Sequence, residues 1–103
     1  MHGLIGKMVA VPGQRDALVS ILLKGISGMP GCLSYVVAHD TSEPDAIWVT
    51  EVWVSQEHHR ASLSLPSVRE AIALGKPLIA TFGSYTTTRP IGGLGLATEP
   101  GAA

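Results

Sequence analysis

The sequence predicts an α+β domain of ferredoxin-like type, ordered β-α-β-β-α-β, with an antiparallel sheet and its helices on one face. Three observations carry this reading. Four segments are rich in apolar and β-branched residues. The segments after the first and third repeat their apolar residues at helical spacing. Only the second and third strands are joined by a connection of hairpin size, which gives the split β-α-β order. At 103 residues the chain fits one domain. We read that domain over residues 1–90, followed by a Gly/Ala/Pro-rich tail over residues 91–103.

Residues 4–11 form an apolar, partly β-branched run broken only by Gly6 and Lys7, and read as a strand. Pro12-Gly13 ends it with turn chemistry. Over residues 14–27 the period changes. Leu18, Ile21, Leu22, Ile26 and Met29 recur at helical spacing, opposite Arg15, Ser20 and Lys24. Gly25 weakens that helix by about 1 kcal/mol relative to alanine but admits close packing. Gly28 and Met29-Pro30-Gly31 close it. Residues 32–39 read as the second strand, and residues 40–45 as a polar turn. Residues 46–54 form the third strand, the strongest β signal in the chain, with Ile47, Trp48, Val49, Val52, Trp53 and Val54.

Ser55 is a good N-cap, and Glu57 suits the first helical turn. The helix reaches Ser64 or Leu65, where Pro66 breaks it. Ser67-Val68-Arg69-Glu70 has capping-box spacing and restarts a helix that ends near Gly75. Residues 81–89, rich in Thr with Phe82 and Tyr85, read as the fourth strand. The tail invites packing on a partner chain.

Side chains alternate across a strand. Ile47, Val49, Glu51 and Trp53 point one way, and Trp48, Thr50, Val52 and Val54 the other. On the second strand Leu33, Tyr35, Val37 and His39 oppose Cys32, Ser34, Val36 and Ala38. A half-exposed antiparallel sheet alternates apolar with polar residues, and this one does not. Two helices cover one face, so the other is expected to pack on a second copy of the chain.

Hydrophobic residues make up 46% of the chain and charged residues 15%, against about 25% charged in an average soluble domain. That shortage also favours a covered surface. The net charge is −1 and the seven Lys and Arg are scattered, so neither nucleic acid nor an anionic membrane is an expected partner. No apolar run approaches the roughly 20 residues of a membrane span. Met1-His2-Gly3 leads straight into a strand, so a cytoplasmic location is expected. The single cysteine, Cys32, forms no internal disulfide and reads as a small apolar strand residue. The histidines have no metal-ligand spacing, and no metal is expected. Gly92, Gly93 and Gly95 precede no helix and make no phosphate loop.

Pro30-Gly31-Cys32-Leu33-Ser34-Tyr35, then Asp45, then Glu51-Val52-Trp53-Val54-Ser55 and His59 resemble the antibiotic biosynthesis monooxygenase family. The likeness spans roughly residues 3–88. It implies a dimeric α/β barrel, built by two ferredoxin-like chains packing their sheets together. It also implies oxidation of a phenol or quinol to a quinone with molecular oxygen and no cofactor. The family pattern often has a histidine about eleven residues after the glutamate and another after the following Ser-Pro. Those positions here are Ser62 and Ser67. His59 lies one helical turn before Ser62 and can face the same way. Related barrels that cleave haem resemble one another through a first-strand Asn, which this chain lacks, so haem is not expected.

These readings define the candidate residues. Glu51, between Val49 and Trp53 on one face, is costly to bury without a partner. It either lines a pocket and orients a histidine or is a hydrogen-bonded structural group. Trp53 either stacks on an aromatic substrate or fills the core. Adjacent helical residues point about 100° apart, so His58 and His59 cannot both face the sheet. His59 is placed inside as the base for a phenolic proton, and His58 on the surface. Tyr35, His39 and Ser62 are candidate substrate contacts, although His39 at the strand end also suits solvent. The expected function is a cofactor-independent monooxygenase in which His59 and Glu51 are catalytic. The alternatives are a non-catalytic dimeric module for a small ligand, and the same fold with isomerase-type chemistry.

Overall fold

A computed structural model describes residues 1–26 and 28–96. Four strands, β1 His2–Ala10, β2 Cys32–His39, β3 Ala46–Trp53 and β4 Ile79–Thr88, form one antiparallel sheet in the order β2-β3-β1-β4. The helices are α1 Arg15–Gly25, α2 Gln56–Ser62 and α3 Pro66–Gly75, followed by a single 3₁₀ turn, Lys76–Leu78. This is the ferredoxin-like order with its second helix split in two.

Several boundaries differ from the sequence reading, each for a local reason. β1 starts at His2 because His2 and Gly3 pair with Trp53 and Val52; ladder pairing outweighs the weak strand propensity of these residues. β3 stops at Trp53 because the Val54 amide turns away to donate to the Gly31 carbonyl at 2.8 Å. α1 ends at Gly25, and the expected last residue, Ser27, lies outside the described residues. Pro66 does more than end the preceding helix. It is the first residue of α3, where its missing N–H costs no helical hydrogen bond. Ser67 therefore lies inside the first turn, Leu65 holds the cap position without a side-chain cap, and the capping-box reading is corrected. Ser55 caps α2 as expected, its Oγ accepting from the His58 amide at 3.2 Å.

All three helices lie on the face of β3 that carries Ile47, Val49, Glu51 and Trp53. Leu18 of α1 is fully buried against Ile47, Val49 and Ala10, with Met8, Leu22, Val37 and Ile79 packed around them. Burying one such leucine stabilises the fold by about 1.5–3 kcal/mol. α1 and α3 approach closely at Gly25, where a Cβ would stand 2.7 Å from that of Ala71. No helix reaches β4 far enough to cover it: Phe82 is 73% exposed and Tyr85 66%. Among the described tail residues Ile91 and Leu94 are exposed. The expected packing of the tail concerns mostly residues 97–103, which lie outside the described ones.

The other face of the sheet is open. It carries Ile5, Val36, Trp48 and Val52, with one charge among them. Lys7 lies 5.8 Å from the centre of the Trp48 ring and pairs with Glu43 of the β2–β3 turn. Asp40 organises that turn. Its Oδ1 accepts from the amides of Glu43 and Ser42, and its Oδ2 accepts from Trp48 Nε1 at 2.8 Å. Those hydrogen bonds, led by the Glu43 amide, hold the carboxyl down at about 2.

Gly31 joins the start of β2 to the turn between β3 and α2, its carbonyl accepting from the Val54 amide. Its φ is +79°, and a Cβ there would lie 2.4 Å from Cδ2 of His58. His58 is on the surface as expected, but its ring rests on this glycine. Gly31→Ala is therefore expected to cost about 1–2 kcal/mol from the left-handed backbone alone, and more once His58 is displaced. Urea denaturation of the variant beside the wild type measures it.

Candidate active site

A cavity of about 410 Å³ lies between the helix-side face of the sheet and the three helices. Met8, Leu22, Val68 and Ile72 contribute to its apolar wall, while Tyr35, Glu51, Trp53, His59 and Ser62 supply its polar groups. Five of the six expected site residues thus line one space.

Strand pairing explains the polar cluster. Glu51 and Trp53, two residues apart on β3, share a face. Across the sheet Glu51 pairs with Tyr35 on one side and Leu4 on the other. Residues opposite one another in an antiparallel pair project to the same side, so Tyr35 and Glu51 emerge together. Trp53 is 1% exposed, and its Nε1 donates to Glu51 Oε1 at 2.9 Å. α2 follows two residues after β3, so its first turns lie over this end of the strand. His59 consequently meets Trp53 edge-on at 5.3 Å between ring centres, with its Nε2 3.9 Å from Glu51 Oε1.

Burial acts on both groups and weakens the charge of each. Burial pushes the Glu51 carboxyl up, partly offset by the Trp53 hydrogen bond. Burial pulls the His59 imidazole down, and His2 adds to that. A strong ion pair would shift both groups the opposite way. At 3.9 Å the contact is also too long for a hydrogen bond. His59 therefore presents an unprotonated ring nitrogen close to neutral pH. Burial, with Glu51 and Cys32 nearby, raises the Tyr35 phenol well above its ordinary value, so Tyr35 stays a hydrogen-bond donor. Ser62 is buried and its Oγ donates to the His59 carbonyl at 2.6 Å. Its proton is spent on the helix, and it faces the cavity as an acceptor.

Two placements depart from the sequence reading. His39 is outside the cavity. It is exposed at the end of β2, with Nε2 3.7 Å from Asp16 Oδ1 at the start of α1. The β2–β3 pairing shifts register between Cys32 and Ser34, so Cys32 pairs with Trp53 while Ser34 pairs with Val52. That irregularity moves Cys32 to the Trp53 side. Burial, then Glu51, pushes its thiol up, which leaves it a poor nucleophile.

The sequence reading passed over His2. Its ring lies 5.9 Å from that of His59 at an interplanar angle of 36°. The signal was available: His2, Leu4, Gly6 and Met8 alternate with Gly3, Ile5 and Lys7, but only if the strand begins at residue 2. Among the described residues no group of three or more His, Cys, Asp or Glu is arranged to hold a metal ion.

Residues 1–74 match the family model described as antibiotic biosynthesis monooxygenase. The chain belongs to the antibiotic biosynthesis monooxygenase family. A crystal structure from Chloroflexus aurantiacus J-10-fl that bears the same family name is 64% identical, with a TM-score of 0.91, over 93% of this chain and 98% of that one. A Deinococcus radiodurans structure bearing the name is 26% identical, with a TM-score of 0.74, over 91% and 96% of the two chains. One from Nitrosomonas europaea is 10% identical with a TM-score of 0.79, over 88% and 99%, a likeness of fold alone. No curated protein matches the chain. The antibiotic biosynthesis monooxygenase fold is thus established, as is the absence of any described helix long and apolar enough to cross a membrane.

Proposed function

We propose that this chain is a cofactor-independent monooxygenase that oxidises a small phenol or quinol with molecular oxygen. The observation that carries the reading is the convergence of Glu51, Trp53 and His59 at one end of a cavity walled mostly by apolar side chains. Such a cavity suits a planar aromatic body with one ionisable hydroxyl better than a polar substrate, which needs several convergent donors.

His59 takes the phenolic proton: the O–H bond breaks and an N–H bond forms on the imidazole. Glu51, fixed by Trp53, faces the imidazolium that forms and draws it closer as the charge develops. Trp53 forms part of the wall against which the aromatic rests. The phenolate then gives one electron to oxygen, yielding a phenoxyl radical and superoxide. Their recombination forms a carbon–oxygen bond at a ring carbon, and the resulting peroxide takes the proton from His59. Loss of the C–H proton and cleavage of the O–O bond release water and leave the quinone. One oxygen atom enters the product and the other leaves as water, so no external reductant is required. The protein binds, deprotonates and excludes bulk water.

A homodimer completes this reading. The open sheet face with Ile5, Val36, Trp48 and Val52 packs on its counterpart in a second copy, as sheet-on-sheet packing allows. In sedimentation the chain is expected to run at twice its mass.

The test is oxygen uptake across a panel of phenols and quinols, using ¹⁸O₂ to follow the label. We expect one labelled atom in the quinone. Uptake absent across the panel, with panel members still quenching Trp53 fluorescence, would replace the enzyme with a binding module.

A further inference from the structure

His2 is the one titratable side chain against His59 that the proposed reaction leaves without a role. The two imidazoles come from different elements, His2 from the start of β1 and His59 from α2. His2 opens β1, and its strand partner is Trp53, whose ring also touches His59. The rings of His2 and His59 lie 5.9 Å apart and tilted by 36°. His2 is half-buried at the end of its strand, so its ring faces His59 on one side and the solvent on the other.

We propose that His59 and His2 form a two-imidazole relay that carries a proton between the cavity and the solvent, with His2 as its outer member. The proposal rests on the reading above, in which His59 receives the phenolic proton. One proton moves and no electrons do. The N–H bond on His59 breaks, an N–H bond forms on His2 through reorientation of the rings or one bridging water, and His2 passes the proton to solvent. The return of a proton to the peroxide uses the same path in reverse.

The surroundings of His59 support this division of labour. From β3 it faces Glu51, with Tyr35 and Cys32 of β2 beside that carboxyl. Lys76, after α3, lines the same cavity. Glu51 is held by Trp53 and driven toward its neutral form by burial, which makes it a poor proton exit. Tyr35 is held protonated for the same reason. His2 is the imidazole beside His59, and an imidazole can accept a proton on one ring nitrogen while giving one up from the other.

The experiment combines a substrate-free measurement with a kinetic one. Imidazole signals of the full chain are titrated by NMR in wild type, His2→Phe and His2→Gln. The first variant keeps a ring against His59, and the second keeps polarity. In both, the His59 midpoint is expected to move up. With any phenol that supports uptake, kcat is expected to fall several-fold at unchanged KM and to recover when imidazole is added to the buffer. An unmoved His59 midpoint in both variants overturns the relay, as does a fall in kcat that imidazole fails to restore. If no phenol supports uptake, the oxidation reading fails and the titration alone decides whether the two rings are coupled.

Discussion

Replacing His59 with alanine will lower oxygen uptake by about 10²–10⁴-fold, the span of a well-placed general base. Folding should survive, because the His59 side chain is partly exposed and makes no side-chain hydrogen bond among the described residues. A circular-dichroism melt close to wild type, together with the lost uptake, distinguishes chemistry from collapse. Uptake unchanged in His59→Ala would remove the base from the mechanism.

The pH dependence has a definite sign. His59 is active when neutral, and burial with His2 holds its midpoint below the ordinary 6.5. Uptake therefore rises with pH through a midpoint below 6.5, and His59→Ala flattens that limb. The same shift bears on folding. Its stabilising contribution is present above 6.5 and is lost as the pH falls through the lowered midpoint. Glu51 runs the other way. Its raised midpoint favours the folded state below 4.5 and disfavours it as the pH climbs through the folded value. The two effects partly cancel in the mildly acidic range, so the rate profile is a cleaner probe of His59 than the melting temperature.

Replacing Trp53 with alanine will destabilise the domain by about 3–5 kcal/mol, the usual cost of removing a fully buried indole. Two losses add. The cavity beneath α2 is enlarged, and Glu51 forfeits its only side-chain hydrogen bond among the described residues. For a domain of this size the melting temperature should fall by more than about 10 °C. Trp53→Phe separates the terms: it restores most of the ring volume and still removes the N–H. Its melting temperature should fall between those of the wild type and the alanine variant. A phenylalanine variant as unstable as the alanine one would show that the hydrogen bond, and not packing, dominates.

Much of this was legible in the sequence because it depends on spacing. Glu51 and Trp53 share a face through strand alternation, and His59 faces them through helical periodicity counted from the Ser55 cap. Both periods are local and survive in the folded chain. What sequence could not supply was cross-strand placement. The register irregularity after Cys32 is invisible to simple alternation, so Cys32 was assigned to the wrong side. His39 shares its strand parity with Tyr35, but the cavity ends before reaching it. His2 was missed because strand propensity is weak at Met1-His2-Gly3, and only pairing with β3 extends the strand that far. Pro66 carries two opposite signals, helix breaker and helix starter, and its place after Leu65 decides for the second. The open face was legible as apolar surface from the alternation of the second and third strands, whereas the exposure of Phe82 and Tyr85 on β4 depends on how far the helices reach, which local periodicity does not encode.

Lys7 has a consequence for how the chain finds its pairing. In the native register its ammonium has Glu43 and the Trp48 ring on the open face. Slipping β1 by a single residue against β3 would turn every side chain to the opposite face. The ammonium would then be driven beneath α1, among Leu18, Ile47 and Val49, away from Glu43 and the Trp48 ring. A lone charge there is far costlier than any contact the slipped pairing could gain. Lys7 thus disfavours misaligned pairing of β1 with β3. The same frame sets His2 against Trp53 and Leu4 against Glu51, so a charge outside the cavity favours the register on which its polar groups depend.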